Sequence, residues 1–211
     1  MELIAASPVA ADHAADIPEL VWATGPVSYE YIFGERATFD ALVDASWGLD
    51  DSLFGADTTT LAVDGDTLLG IVINMPGAEF VPRLAHLAAA IEPLVAGGDI
   101  DMAAIDGVIA RSERASWLNP VLATDTSYIH ALSVRPEARG SGVGYALIKH
   151  VIDRATNAGF AKLQLDVLSD NPAVDFYRAV GLELLVESKA PEPAAHGVPV
   201  EYRMGMALQD R

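Results

Sequence analysis

Apolar and polar positions recur along this chain with two periods, and the changes of period mark its elements. Leu163, Leu165 and Val167 alternate with Gln164 and Asp166, the two-residue repeat of a half-buried strand. Val143, Leu147 and Val151, joined by Ile148 and Ile152, recur at helical spacing and predict a helix over 143–158 with a broad apolar face. Gly159 lies just past it, where a C-terminal glycine belongs. A strand is predicted over 128–134. Asn171-Pro172 reads as an N-cap followed by proline at the first helical position, and Gly181 stops that helix. Residues 182–186 and 200–206 complete the strands, and 190–199, with three prolines, reads as a surface loop.

The amino-terminal half is patterned less sharply. Residues 3–6 form a short predicted strand, followed by helices over 10–23 and 38–47, with a loop at 28–34 that carries aromatic and acidic residues. Two β-rich runs, 58–63 and 68–74, are joined by Asp64-Gly65-Asp66-Thr67, a strong hairpin signal. Met75-Pro76-Gly77 ends the second. In 78–126 the period returns to helical: Phe80, Leu84, Leu87, Ala88 and Ile91 share one face. Pro93 and Gly97-Gly98 break that helix, and Asp99 caps another that carries Ile100, Ala104, Val108 and Ile109. These residues read as a two-helix insertion between strands, within a single domain spanning 1–211.

Composition narrows the chemistry. The 211 residues contain no cysteine, which excludes disulfides, a thiol nucleophile and cysteine-ligated metal. No basic leader opens the chain and no apolar run approaches the ~20 residues that span a bilayer, so a cytoplasmic protein without a membrane partner is expected. The formal charge of −17 disfavours nucleic acid and anionic lipid. One stretch departs from it. Between Arg135 and Arg154, Arg135, Arg139, Lys149 and Arg154 outnumber Glu137 and Asp153. The five histidines are too scattered to suggest a metal site.

That positive stretch surrounds Arg139-Gly140-Ser141-Gly142-Val143-Gly144, between the strand at 128–134 and the helix that follows. Three glycines let the backbone turn tightly with its N–H groups uncovered, and the helix adds its unpaired N–H groups and positive dipole end. The combination suits a phosphate or pyrophosphate. A nucleotide-triphosphate loop requires Gly-Lys-Ser/Thr, but Tyr145-Ala146 follow Gly144. A dinucleotide fold places its first glycine almost at the strand end; here residues 135–139 intervene, and only 67 residues follow Gly144.

Residues 128–184 instead resemble the GNAT superfamily of acetyl-coenzyme A-dependent N-acetyltransferases. Arg139, Gly142 and Gly144 match the family's cofactor motif, and Leu132-Ser133-Val134-Arg135-Pro136-Glu137 resembles the strand end and turn before it. The segment from Asn171 through Phe176-Tyr177 to Gly181-Leu182 resembles its second signature helix. The resemblance implies an α+β fold: a mixed, mostly antiparallel central sheet of six to seven strands flanked by helices, with 127–188 as the acetyl-coenzyme A-binding core. The sheet would splay after the strand ending at Val134. Backbone groups of Leu132, Ser133 and Val134 would pair with pantetheine, and N–H groups of Gly140, Ser141, Gly142, Val143 and Gly144 would hold the pyrophosphate. Arg139 and Asn171 are further cofactor contacts by their place in the motifs. Tyr177 would act as general acid toward the departing thiolate. No metal is implied, and a homodimer is an expectation from the family.

The implied reaction is attack of a neutral primary amine on the thioester of acetyl-coenzyme A, and the acidic remainder of the chain suits a cationic acceptor. A small-molecule acceptor is the first reading. A protein or peptide acetyltransferase, and a non-catalytic acyl-coenzyme A sensor, are the alternatives. An alkyl amine is only about one part in 10³ neutral at pH 7, so a base is expected. His130, on the same nominal strand face as Leu132 unless a bulge shifts the alternation, and Glu30, in the loop at 28–34, are candidates for base or acceptor contact. Asp125 and Glu79 are weaker ones.

Overall fold

The computed structural model describes residues 1–7 and 11–208. Among them, seven strands form one sheet: β1 (Glu2–Ala5), β2 (Thr59–Asp64), β3 (Thr67–Pro76), β4 (Thr126–Val134), β5 (Lys162–Leu168), β6 (Glu183–Ser188) and β7 (Glu201–Ala207), in the order β1-β2-β3-β4-β5-β7-β6. All neighbouring pairs are antiparallel except β4 with β5. This is the mixed, mostly antiparallel sheet that the resemblance implies. The hairpin turn falls at Gly65-Asp66, where Gly65 takes a φ of 58° that a side chain would strain.

Each sheet face carries its own core. On one side Phe39, Trp47, Phe54, Ile71 and Ile73 pack beneath α1 (Ile17–Trp22) and α3 (Arg36–Trp47). On the other, Val143, Leu147, Ile148 and Val151 of α7 (Val143–Asn157) bury against Leu163, Leu165 and Val167. Those are the apolar positions whose periods defined α7 and β5.

Several expectations are corrected. Residues 28–34 are not a loop: α2 (Pro26–Phe33) starts on a proline after Gly25, and Tyr29 packs against Trp22, Phe33 and Phe39. The insertion contains three helices rather than two: α4 (Phe80–His86), α5 (Ala88–Gly97) and α6 (Met102–Ser116). Pro93 is accommodated inside α5, and the cap of α6 is Asp101, not Asp99, its side chain accepting the Ala104 N–H at 2.6 Å. The proline-rich connector includes a short helix, α9 (Pro191–Ala195). The predicted helix over 10–23 begins outside the described residues; within them it is a 3₁₀ turn followed by α1. The second signature helix is α8 (Ala173–Val180).

Two arginines tie the insertion to the segment before β2 and to α2. Buried Arg83 of α4 reaches Glu79 and Asp57 (both 2.9 Å) and Asp51 (3.4 Å). Arg111 of α6 donates to the Ile32 carbonyl of α2 at 2.8 Å.

Candidate functional site

β4 and β5 pair only from Thr126↔Lys162 to Ile129↔Leu165, then part. Beyond that fork β4 continues to Val134 with β3 alone as its partner. The Arg135 N–H donates to the Leu69 carbonyl at 2.9 Å, which fixes the antiparallel alternation. Ser133 is therefore bonded to Ile71, while the backbone groups of Leu132 and Val134 face the gap. The expectation that all three offer free backbone is corrected: the Ser133 backbone is occupied, and the Val134 carbonyl accepts Arg139 Nε at 3.1 Å. Arg139 itself is exposed and lines the rim of the cavity, its Nε closing the turn.

The glycine loop lies at the end of this half-paired strand. Gly140 and Gly142 adopt φ of 77° and 91°, and Gly142 caps α7. The N–H groups of Gly140, Gly142, Val143, Gly144 and Tyr145 donate to no backbone carbonyl or side chain among the described residues, the first bond of the helix being Ala146 to Gly142 at 3.0 Å. A Cβ on Gly140 or Gly142 would meet nothing within 4 Å, so these glycines serve the turn's conformation and leave its surface open. The arrangement fits an anionic, phosphate-bearing ligand.

Gap, loop and insertion border one cavity of about 1640 Å³. Tyr177 lines it, 6 % exposed, and burial raises its phenol well above the ordinary value, so the group stays protonated at working pH. Asn171 also lines it, but its side chain is engaged: Oδ1 accepts the Ala173 N–H at 2.9 Å and Nδ2 donates to the Thr24 carbonyl at 3.3 Å. α8 thus starts at Ala173, with Asn171 still capping it.

His130 is the extra residue of a β-bulge. Ile73 faces Ala131 and Asn74 faces Ile129, leaving His130 unpaired between them. The bulge corrects the expected alternation. His130 stacks among Phe54, Phe80 and Tyr128 (ring centroids 5.4, 5.8 and 6.4 Å), whereas Leu132 packs with the α7 cluster on the opposite face. Its Nε2 is buried without a hydrogen-bond partner, and desolvation lowers the imidazole pKa to about 4. At pH 7 it is neutral and a weak base. Glu30 is not brought to the cavity: it sits exposed on α2, whose Tyr29 and Tyr31 line the wall instead. Asp125 pairs with Lys162 at 3.1 Å and Glu79 with Arg83, and neither lines the cavity.

A buried polar group absent from the sequence reading stands across the gap. Arg203 of β7 forms a two-pronged pair with Asp166 of β5, which also accepts the Tyr128 hydroxyl at 3.0 Å. Beside them Glu201 accepts Asn119 Nδ2 at 2.6 Å. Burial first, and then the Asp166 charge, raise its pKa to about 7 against the opposing effects of Asn119 and Arg203. The sequence signal was faint: two charged residues on alternate positions of an otherwise apolar strand. Among the described residues, no group of three or more His, Asp or Glu is placed to hold a metal ion, and no helix is long and apolar enough to cross a membrane.

The family model described as acetyltransferase (GNAT) family matches residues 57–182, more than half of the chain. A stretch of 63 residues is 40% identical to the thialysine N-epsilon-acetyltransferase of Bos taurus, covering 29% of this chain and 37% of that protein. The chain thus spans little more than a third of the curated relatives it matches. The fold is similar to that of an N-acetyltransferase from Staphylococcus aureus Mu50, with a TM-score of 0.69 at 14% identity, covering 98% of this chain and 100% of that one. It is also similar to a solved structure described as an acetyltransferase, with a TM-score of 0.66 at 16% identity over 99% and 100% of the two chains.

Proposed function

The chain belongs to the acetyltransferase (GNAT) family, and on that premise we propose that it transfers an acetyl group from acetyl-coenzyme A to the primary amine of a small molecule. The observation that carries this reading is the fork between β4 and β5 ending at a loop of unpartnered N–H groups. The gap accommodates an extended, amide-bearing arm along Leu132 and Val134, and the loop receives the diphosphate. Acetyl-coenzyme A supplies the activated acyl group. The protein's residues orient it, stabilise charge and move protons. The Leu132 N–H, facing the gap, is placed to donate to the carbonyl oxygen as it gains charge. Tyr177 is the proton donor to the leaving sulfur.

A small acceptor is favoured because the rest of the cavity is lined mainly by apolar and aromatic side chains rather than by a charged surface. It is roofed by the α4–α6 insertion and walled by Tyr29, Tyr31, Phe54, Phe80 and Tyr128. At about 1640 Å³ it exceeds the usual ~300–1,000 Å³ of a single small-ligand site, which leaves room for a second molecule beside a cofactor-sized one.

The test is thiol release from acetyl-coenzyme A with hexylamine, spermidine, lysine and an aminoglycoside, beside basic peptides. The expected result is turnover of at least one small amine with kcat/KM a hundredfold or more above any peptide. Turnover with peptides alone would reverse the acceptor class. Tight acetyl-coenzyme A binding with no thiol release on any amine would make the protein a sensor.

A further inference from the structure

Glu201 is the half-buried acid of the cavity that has no ion-pair partner among the described residues. The cavity is also bordered by Glu113 and Asp170, both exposed, and by Asp166, whose carboxylate is held by Arg203 and Tyr128. Glu201 accepts a hydrogen bond from Asn119 on Oε2, and no ion pair to it is formed within the described residues. Its place follows from register. Glu201 pairs with Leu168 of β5, two residues beyond Asp166, and strand alternation puts it on the sheet face of Asp166, which accepts the Tyr128 hydroxyl of β4. It lines the cavity from β7, with β5 between it and the gap where Leu132 offers its backbone. Around it stand aromatic walls that offer a cation no other anionic partner.

We infer that Glu201 is a catalytic residue that receives the acceptor's ammonium group and removes its proton. This rests on the acetyl-transfer reading above. The carboxylate takes one proton from R–NH3⁺, leaving R–NH2. The nitrogen lone pair forms the N–C bond as the C–S bond breaks, and the sulfur leaves with that electron pair. The second nitrogen proton balances the one that Tyr177 gives the sulfur, and Glu201 returns its own proton to solvent. The acceptor class that fits is an amine with one reacting cation on an apolar body.

The charged and titratable groups facing Glu201 are Asp166 on β5, Arg203 on β7, Tyr128 on β4 and Tyr29 on α2, with the Asn119 amide after α6. Asp166 with Arg203 is a neutral unit, and both tyrosines have raised pKa values, so Glu201 is the group that changes charge near pH 7. A base titrating there is matched to its task. His130, at about 4, is not.

The experiment is the pH profile of kcat/KM for wild type, Glu201→Gln and Asn119→Ala, using whichever of hexylamine, spermidine and lysine the wild type acetylates fastest. With Glu201 as base, kcat/KM rises to about pH 7 and then levels until the amine itself deprotonates. Glu201→Gln should lower kcat/KM at pH 7.5 by about 10²-fold or more. Its profile should climb steadily toward pH 10, because only free amine now reacts. Acetyl-coenzyme A affinity by calorimetry should stay within threefold. Asn119→Ala removes a hydrogen bond that favours the ionised form, so it should move the plateau's onset to higher pH; this variant decides the matter if Glu201→Gln misfolds. A Glu201→Gln enzyme within threefold of wild type, or an unmoved onset in Asn119→Ala, overturns the assignment alone. A wild type that binds acetyl-coenzyme A and acetylates no amine overturns the proposed activity as well.

Discussion

His130 and Leu132 are two residues apart on β4 yet pack on opposite faces of the sheet, because the bulge at His130 inserts one residue into the alternation. The imidazole is thereby committed to an aromatic enclosure with Phe54 and Phe80, and Leu132 to the α7 core.

Stability should record that enclosure. The folded pKa of about 4 lies below the ordinary 6.5, so the unfolded chain binds the proton more readily between those values. The stabilisation is complete above pH 6.5 and is lost as pH falls through 4, about 3 kcal/mol in all at 1.36 kcal/mol per pH unit. His130→Phe should lose less stability than wild type between pH 7 and pH 4 in urea melts. Parallel losses in the two proteins would show that His130 is not buried neutral.

Tyr177→Phe should reduce kcat by about 10²-fold, the low end for a general acid, because a thiolate with a pKa near 8.5 is a tolerable leaving group. Acetyl-coenzyme A affinity should be unchanged, since the ring keeps its packing in the α7–α8 core. Normal turnover in this variant would remove the phenol from the chemistry.

At Gly142 the φ of 91° and the open space around a built Cβ separate two effects of substitution. Gly142→Ala meets no clash, so its cost is backbone strain of about 1–2 kcal/mol. If the loop relaxes away from its cradle to relieve that strain, acetyl-coenzyme A binding weakens by roughly five- to thirtyfold. Calorimetry with an unchanged dissociation constant would argue that the loop's N–H groups do not hold the ligand.

The Asp166–Arg203 pair is a buried charge pair, Arg203 being 5 % exposed. Arg203→Ala leaves Asp166 uncompensated and should destabilise by about 3–5 kcal/mol. Adding Asp166→Leu to Arg203→Met should recover much of the loss, because the desolvation cost disappears with both charges. Chemical denaturation of the single and double variants measures this directly.

The carboxy-terminal half was legible because local signals there agree with tertiary structure. The repeats of α7 and β5 are the faces that meet, and Gly159 and Gly181 stop helices with φ of 80° and 108°. The amino-terminal half was less so. Helix α2 is held by Tyr29 packing on Trp22 and Phe39, contacts that no local pattern encodes, and Pro26 after Gly25 was its one overlooked start signal. Pro93 reads as a breaker, yet α5 continues through it. Glu201 was missed for a topological reason. Its partial burial arises because β7 inserts between β5 and β6, bringing a strand-end acid of ordinary appearance against Asn119 from the loop after α6, some eighty residues earlier.

The fork gives the protein a built-in gauge of occupancy. Downstream of Ile129 the outward amides of β4 have no neighbouring strand, so their deuterium uptake depends on water reaching them. Any chain-like molecule lying alongside shields Leu132 and Val134 while leaving Ser133, already bonded to Ile71, as it was. Residue-resolved exchange at these three positions would report filling of the crevice even where no product forms.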